Sequence, residues 1–136
     1  MATCVLAGAC MVAAGCGGGE AKNEPRPPAP INITVSVSSR GVAVSPASVG
    51  AGPIVVVITN QTPSSQEVTF ESDSVGATGS GITQSTAPIN PRGTGQLMVD
   101  AGQGSYRVRT ASAGIAPATI TVGPKRPSAQ NQVFQP

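Results

Sequence analysis

The longest apolar run beyond the N-terminus is residues 54–60, Ile-Val-Val-Val-Ile-Thr-Asn, opened by Gly52-Pro53 and closed by Asn60-Gln61-Thr62-Pro63. A β-branched run this short, bounded by turn formers, predicts a strand and not a helix. Its lack of polar alternation places it in the middle of a sheet, buried on both faces. Around it the period is two. Ile31, Ile33, Val35 and Val37 alternate with Asn32, Thr34 and Ser36, which predicts a strand with one face to the core and one to water. After the Arg40-Gly41 turn, Val42 and Val44 continue the alternation to Pro46. Residues 66–72 are expected to form a strand with Val68 and Phe70 inward, and the same parity sends Glu67 and Glu71 to water. Further strands are expected at 96–100, 105–110 and 118–122, with turns at 89–93 and 101–104. Residues 73–84, rich in Gly, Ser and Thr, read as a long surface loop.

The two ends of the chain follow a different pattern. Residues 1–16 are small and apolar, too short a run to span a bilayer as a helix but of the length of a signal-peptide apolar region. They close on Ala13-Ala14-Gly15-Cys16, small side chains ahead of a cysteine, and in this they resemble the export signal of bacterial lipoproteins. The resemblance implies removal of residues 1–15, a lipid on Cys16, and an anchor in the cell membrane facing the extracytoplasmic side. Residues 16–30 then read as a Gly- and Pro-rich tether, flexible first and polyproline-like after Pro25. The domain is expected over residues 31–123, and residues 124–136 read as a polar, disordered tail.

Composition narrows the chemistry. The core must be aliphatic, because there is no Trp and only Phe70 and Tyr106 supply large anchors within the domain. Charged residues are 10% against 17 Gly and 13 Pro, a balance that favours turn-rich all-β structure over a charge-expanded disordered chain. A net charge of +2 without a basic cluster gives no expectation of nucleic-acid binding. The chain has no His, so it has no imidazole base, no Ser-His pair and no imidazole metal ligand. All three cysteines lie in the first sixteen residues, at a six-residue spacing unlike metal-binding Cys pairs, so the domain can form no disulfide. Its acids, Glu67, Glu71, Asp73 and Asp100, read as a solvated face, as do Arg107 and Arg109 on either side of Val108. No enzyme is expected from such a set.

Seven or eight short strands between Gly/Pro turns predict an all-β Greek-key β-sandwich, immunoglobulin-like or cupredoxin-like. Three stretches resemble cupredoxins: residues 44–60, with Pro46, the Ala51-Gly52 turn, the apolar strand and the terminal Asn60; residues 89–106, with a turn, a strand, a Gly turn and Tyr106; and Ala113-Gly114-Ile115 followed by residues 118–122. In that family a His after the Asn, then a Cys, a His and a Met around the last loop hold copper. By position, Gln66 stands for the first His, Thr110 for the Cys and Ile115 for the Met, and only Ala111, Ser112, Ala113 and Gly114 lie between the last two. The resemblance therefore implies a cupredoxin-like scaffold without its metal ligands and with no cofactor. It places any binding surface at Gln66, Thr110, Ala113, Gly114 and Ile115. The expected function is a lipid-anchored envelope module that binds an envelope protein partner or serves a structural role. The alternatives are a copper-binding electron carrier, for which Met98 and Cys16 are the only soft ligands in the mature chain, and an immunoglobulin-like adhesion or scaffold module.

Overall fold

A computed structural model describes residues 26–73 and 81–128. The expected export signal, Cys16, most of the tether and the end of the tail lie outside the described residues. The described chain is built from β1 (Ile31–Ser38), β2 (Gly41–Ser45), β3 (Ser48–Asn60), β4 (Val68–Ser72), β5 (Thr83–Ser85), β6 (Thr94–Ala101), β7 (Gly104–Thr110) and β8 (Ala118–Lys125). They form two packed layers, β2-β1-β3-β6 and β8-β7-β4-β5, and the all-β Greek-key sandwich is as the turn spacing predicts.

β3 belongs to both layers. Its first residues, Ser48 to Ala51, run parallel to β8, and from Gly52 onward it pairs antiparallel with β6 and, from Ile54, parallel with β1. A register shift between Gly50 and Ala51, followed by Gly52 at φ 129°, turns the strand from one sheet to the other. The expected strand at 54–60 is therefore the second half of a longer one. Its central place is as predicted, but its double burial is not. Ile54, Val56 and Ile58 enter the core, whereas Val55, Val57 and Thr59 lie half-buried on the outer face, because nothing among the described residues covers that side of the sheet.

Between the layers, Ile33, Val35, Val37, Ile54, Val56, Ile58 and Val99 from one sheet meet Val68, Phe70, Tyr106, Val108, Ile120 and Val122 from the other. The period-two pattern delivers all of them. Phe70 and Tyr106 stack at the centre with ring centroids 5.1 Å apart. Residues 66–72 are a strand only from Val68, with Gln66 making an isolated bridge to Ile89. β5, which begins in the stretch read as loop and extends one residue beyond it, adds a short edge to β4 through Thr69, Phe70 and Glu71.

At the Gly52 end the first and last described residues pack on the sandwich, and β8 takes in Pro124 and Lys125, two residues read from the sequence as tail. Pro28 is buried. The Arg126 guanidinium donates to the carbonyls of Gly50 (3.1 Å), Pro53 (2.6 Å) and Ala29, so one side chain joins the residues before β1, β3 and the residues after β8. Gly52 makes this clamp possible: a Cβ there would stand 2.7 Å from Pro28 Cγ and 3.0 Å from Arg126 Nη2. Strain at a positive φ and overpacking each cost about 1–3 kcal/mol, so Gly52→Ala is expected to lower unfolding stability by about 3 kcal/mol. Gly114→Ala, whose Cβ would meet nothing within 4 Å, is the reference and should stay within about 0.5 kcal/mol. Urea denaturation of the two variants checks this, and equal midpoints would remove the packing argument.

Candidate functional site

The opposite end of the sandwich gathers the end of β3, residues 61–67, the turn at 89–93 and the loop 111–117. Asn60 closes β3 and is fully buried. Its Nδ2 donates to the carbonyls of Ser64 (2.7 Å), Ile89 (2.9 Å) and Asn90 (3.3 Å). Its Oδ1 accepts from the backbone N–H (2.9 Å) and the hydroxyl (2.8 Å) of Thr62, the side-chain-to-backbone turn that Asn forms two residues ahead of itself. One amide thus holds two loops that are distant in sequence.

Gln66 sits next to it. Its backbone exchanges hydrogen bonds with Ile89 (3.0 and 2.9 Å), and its side chain is buried. Gln66 Nε2 donates to Thr62 Oγ1 (3.3 Å), while Gln66 Oε1 accepts from Ser112 Oγ (2.9 Å). The bonds connect Ser112, Gln66, Thr62, Asn60 and the Ile89 carbonyl in one network, with the Thr62 hydroxyl placed 2.8 Å from both Asn60 Oδ1 and the Ser64 carbonyl. Thr110, also buried, donates to the Ser112 carbonyl at 3.4 Å. Among the described residues no buried side-chain polar atom lacks a partner. The polar cluster is a closed knot, in which each buried side-chain nitrogen and oxygen has at least one partner.

Of the residues expected here, the structure brings together Gln66 and Thr110, through Ser112. Ala113 and Gly114 lie exposed at the tip of the loop. Ile115 turns back and packs against the core, its N–H bonded to the Ser112 carbonyl at 3.1 Å. Sequence reasoning missed Ser112 and Thr62, and took Asn60 only as the end of a pattern. The spacing Asn60-Gln61-Thr62 was the available signal, since an Asn followed two residues later by Thr is a local turn former. Beside the knot an open groove of about 330 Å³ runs between residues 86–90 and 93–96, lined by Pro88, Asn90, Thr94 and Gln96 without a charged side chain.

Charged chemistry lies elsewhere. On the outer face of β4 and β7, Arg109 grips Glu71 with two hydrogen bonds (2.9 and 3.2 Å), and Arg107 pairs with Asp73. The Arg109 hydrogen bond holds the Glu71 carboxyl below its usual range. Burial raises the Tyr106 phenol, whose hydroxyl donates to the Gly102 carbonyl at 2.9 Å. Among the described residues no three His, Cys, Asp or Glu side chains converge.

The two-layer all-β topology is a cupredoxin-like fold. No protein-family model and no curated protein matches the sequence. Among solved structures, the fold is similar to auracyanin A, a “blue” copper protein from Chloroflexus aurantiacus, with a TM-score of 0.53 at 14% identity, over 70% of this chain and 100% of that one. Dithionite-reduced auracyanin from Roseiflexus castenholzii is similar over 70% of this chain and 97% of that one, with a TM-score of 0.51 and 14% identity. Likeness at this identity carries the fold alone.

Proposed function

We propose that this chain is a membrane-anchored envelope lipoprotein, tethered through a lipid on Cys16, whose cupredoxin-like domain is a non-enzymatic, metal-free binding or structural module. The observation that carries the metal-free reading is the Ser112–Gln66–Thr62–Asn60 network. Copper in this scaffold calls for a thiolate and imidazoles. The positions that would supply them hold an amide, a hydroxyl and an aliphatic side chain, and the two polar ones, Gln66 and Thr110, are each hydrogen-bonded to Ser112. This donor set does not fit copper, so no electron-transfer step is derived through it. The knot instead acts as a brace that presents the exposed tip, Ala113 and Gly114, and the uncharged groove beside it to an envelope protein partner.

The tethering reading rests on Ala13-Ala14-Gly15-Cys16 and the Gly/Pro-rich stretch after it. Intact mass of the protein extracted from its native membrane tests it. A species beginning at Cys16 and carrying acyl chains is expected, with Cys16→Ala leaving the membrane fraction. An unmodified full-length mass, with the variant unchanged in its distribution, would overturn it. A copper titration of the same protein is expected to give no intense thiolate-to-copper absorption.

A further inference from the structure

The Gly52 end of the sandwich carries more than a clamp. Arg26, Lys125, Arg126 and Asp100, with Pro28 and Gly52, line a groove of about 390 Å³. The charges are unevenly distributed over the fold. Arg107 and Arg109 lie on the β4–β7 face, and Arg40 and Arg92 sit in exposed turns at the Asn60 end. Arg26, Lys125 and Arg126 meet around one groove, with Asp100 the only acid lining it among the described residues.

We propose that this end is a membrane-facing surface whose cationic groove, with Lys125 exposed in it, takes the phosphate groups of an anionic phospholipid layer. The proposal deepens the tethering reading and rests on it for the direction in which the domain faces. Because Arg126 holds the Ala29 and Pro53 carbonyls and Pro28 is buried, the tether leaves the domain at the groove and nowhere else. Residues 17–25 span at most about 30 Å when extended. β1 and β3 run parallel from this end, Ile31 beside Ile54 and Val37 beside Asn60, which sets the knot about 20 Å further away at a rise of about 3.3 Å per residue. The short tether therefore brings the cationic end, not the knot, down to the headgroups. There a guanidinium or ammonium makes charge-assisted bonds to phosphate, and its attraction extends only about a Debye length. Glu20 and Glu24, against Lys22, remove about one unit of this charge in the tether itself, so the surface orients the domain rather than anchoring it.

Full-length chain carrying Cys16→Ser, which cannot be acylated, tests this by co-sedimentation with phosphatidylcholine vesicles prepared with and without phosphatidylglycerol. Binding is expected to be stronger on the anionic vesicles and to weaken with added salt. Lys125 is exposed and takes no part in the clamp, so its reversal leaves the fold intact. Lys125→Glu should weaken the anionic-vesicle component about 25-fold, two charge units at about fivefold each, and Lys125→Arg should leave it unchanged. Equal sedimentation with both vesicles, or no effect of Lys125→Glu, overturns the proposal. So does complete competition by millimolar inorganic phosphate, which would assign the groove to a small free anion. Acylation plays no part in this assay, so its failure leaves the anchoring reading standing, and an unacylated native protein leaves the groove result standing.

Discussion

Phe70→Ala is expected to lower the unfolding free energy by about 4 kcal/mol, within the range for truncating a buried Phe. Small domains have only about 5–15 kcal/mol in total. The side chain is fully buried and its ring stacks on Tyr106 at 5.1 Å and 27°. Its neighbours, Val, Ile and Tyr from both layers, are held in two hydrogen-bonded sheets that cannot collapse far into the space left. Phe70→Leu, which keeps most of the volume, should cost about 1.5 kcal/mol. Urea denaturation of both variants measures the difference. A loss below about 1 kcal/mol for the Ala variant would mean that the two layers slide to fill the hole, contrary to the close-packed core described above.

The second large effect is expected at Asn60. Asn60→Asp keeps the shape of the side chain but replaces an amide donor with an oxygen facing the carbonyls of Ser64, Ile89 and Asn90. At neutral pH the cost should reach about 4 kcal/mol, since a buried carboxylate is set against three acceptors whose own partner is gone. Burial and the facing carbonyls push the folded-state pKa of the new Asp above its unfolded value of about 3.9. Below that value both states hold the proton and the penalty is smallest. As pH rises past it the unfolded state ionises first, so the penalty grows until the folded pKa is passed. Stability of the variant relative to the parent, followed from acid to neutral pH, checks both size and sign, and a difference independent of pH would falsify the assignment of Asn60 Nδ2 as the donor.

The sandwich was legible because period two is a local property. Ile33, Val35, Val37, Val68 and Phe70 each declare their face through their immediate neighbours, and the turns between strands are marked by Gly and Pro. The bend of β3 was not legible, because it depends on Pro28 and Arg126 packing on Gly52, residues far apart in sequence. The same holds for the half-exposed Val55 and Val57. Their composition matches a doubly buried strand, and only the absence of a covering layer among the described residues distinguishes them. At the site, Gln66 and Thr110 could be placed by resemblance, whereas Ser112 could not. It is one small residue in a run of small residues, and its role follows from a hydroxyl 2.9 Å from an amide that lies 46 positions away.

The strand shared between the two sheets also sets when the domain can finish folding. The first residues of β3 pair with Thr121, Val122, Gly123 and Lys125, and its later ones with β1 and β6. The layer β2-β1-β3-β6 can form once β6 has been made, but the second layer, and with it the sandwich, is not closed until β8 has been made. Synthesis at about 5–20 residues per second leaves several seconds between the appearance of β3 and that of β8. All-β sandwiches of such non-local pairing then fold in about milliseconds to seconds. For that interval the sandwich stays open, with the start of β3 and the edge of β7 still waiting for the strand that joins them.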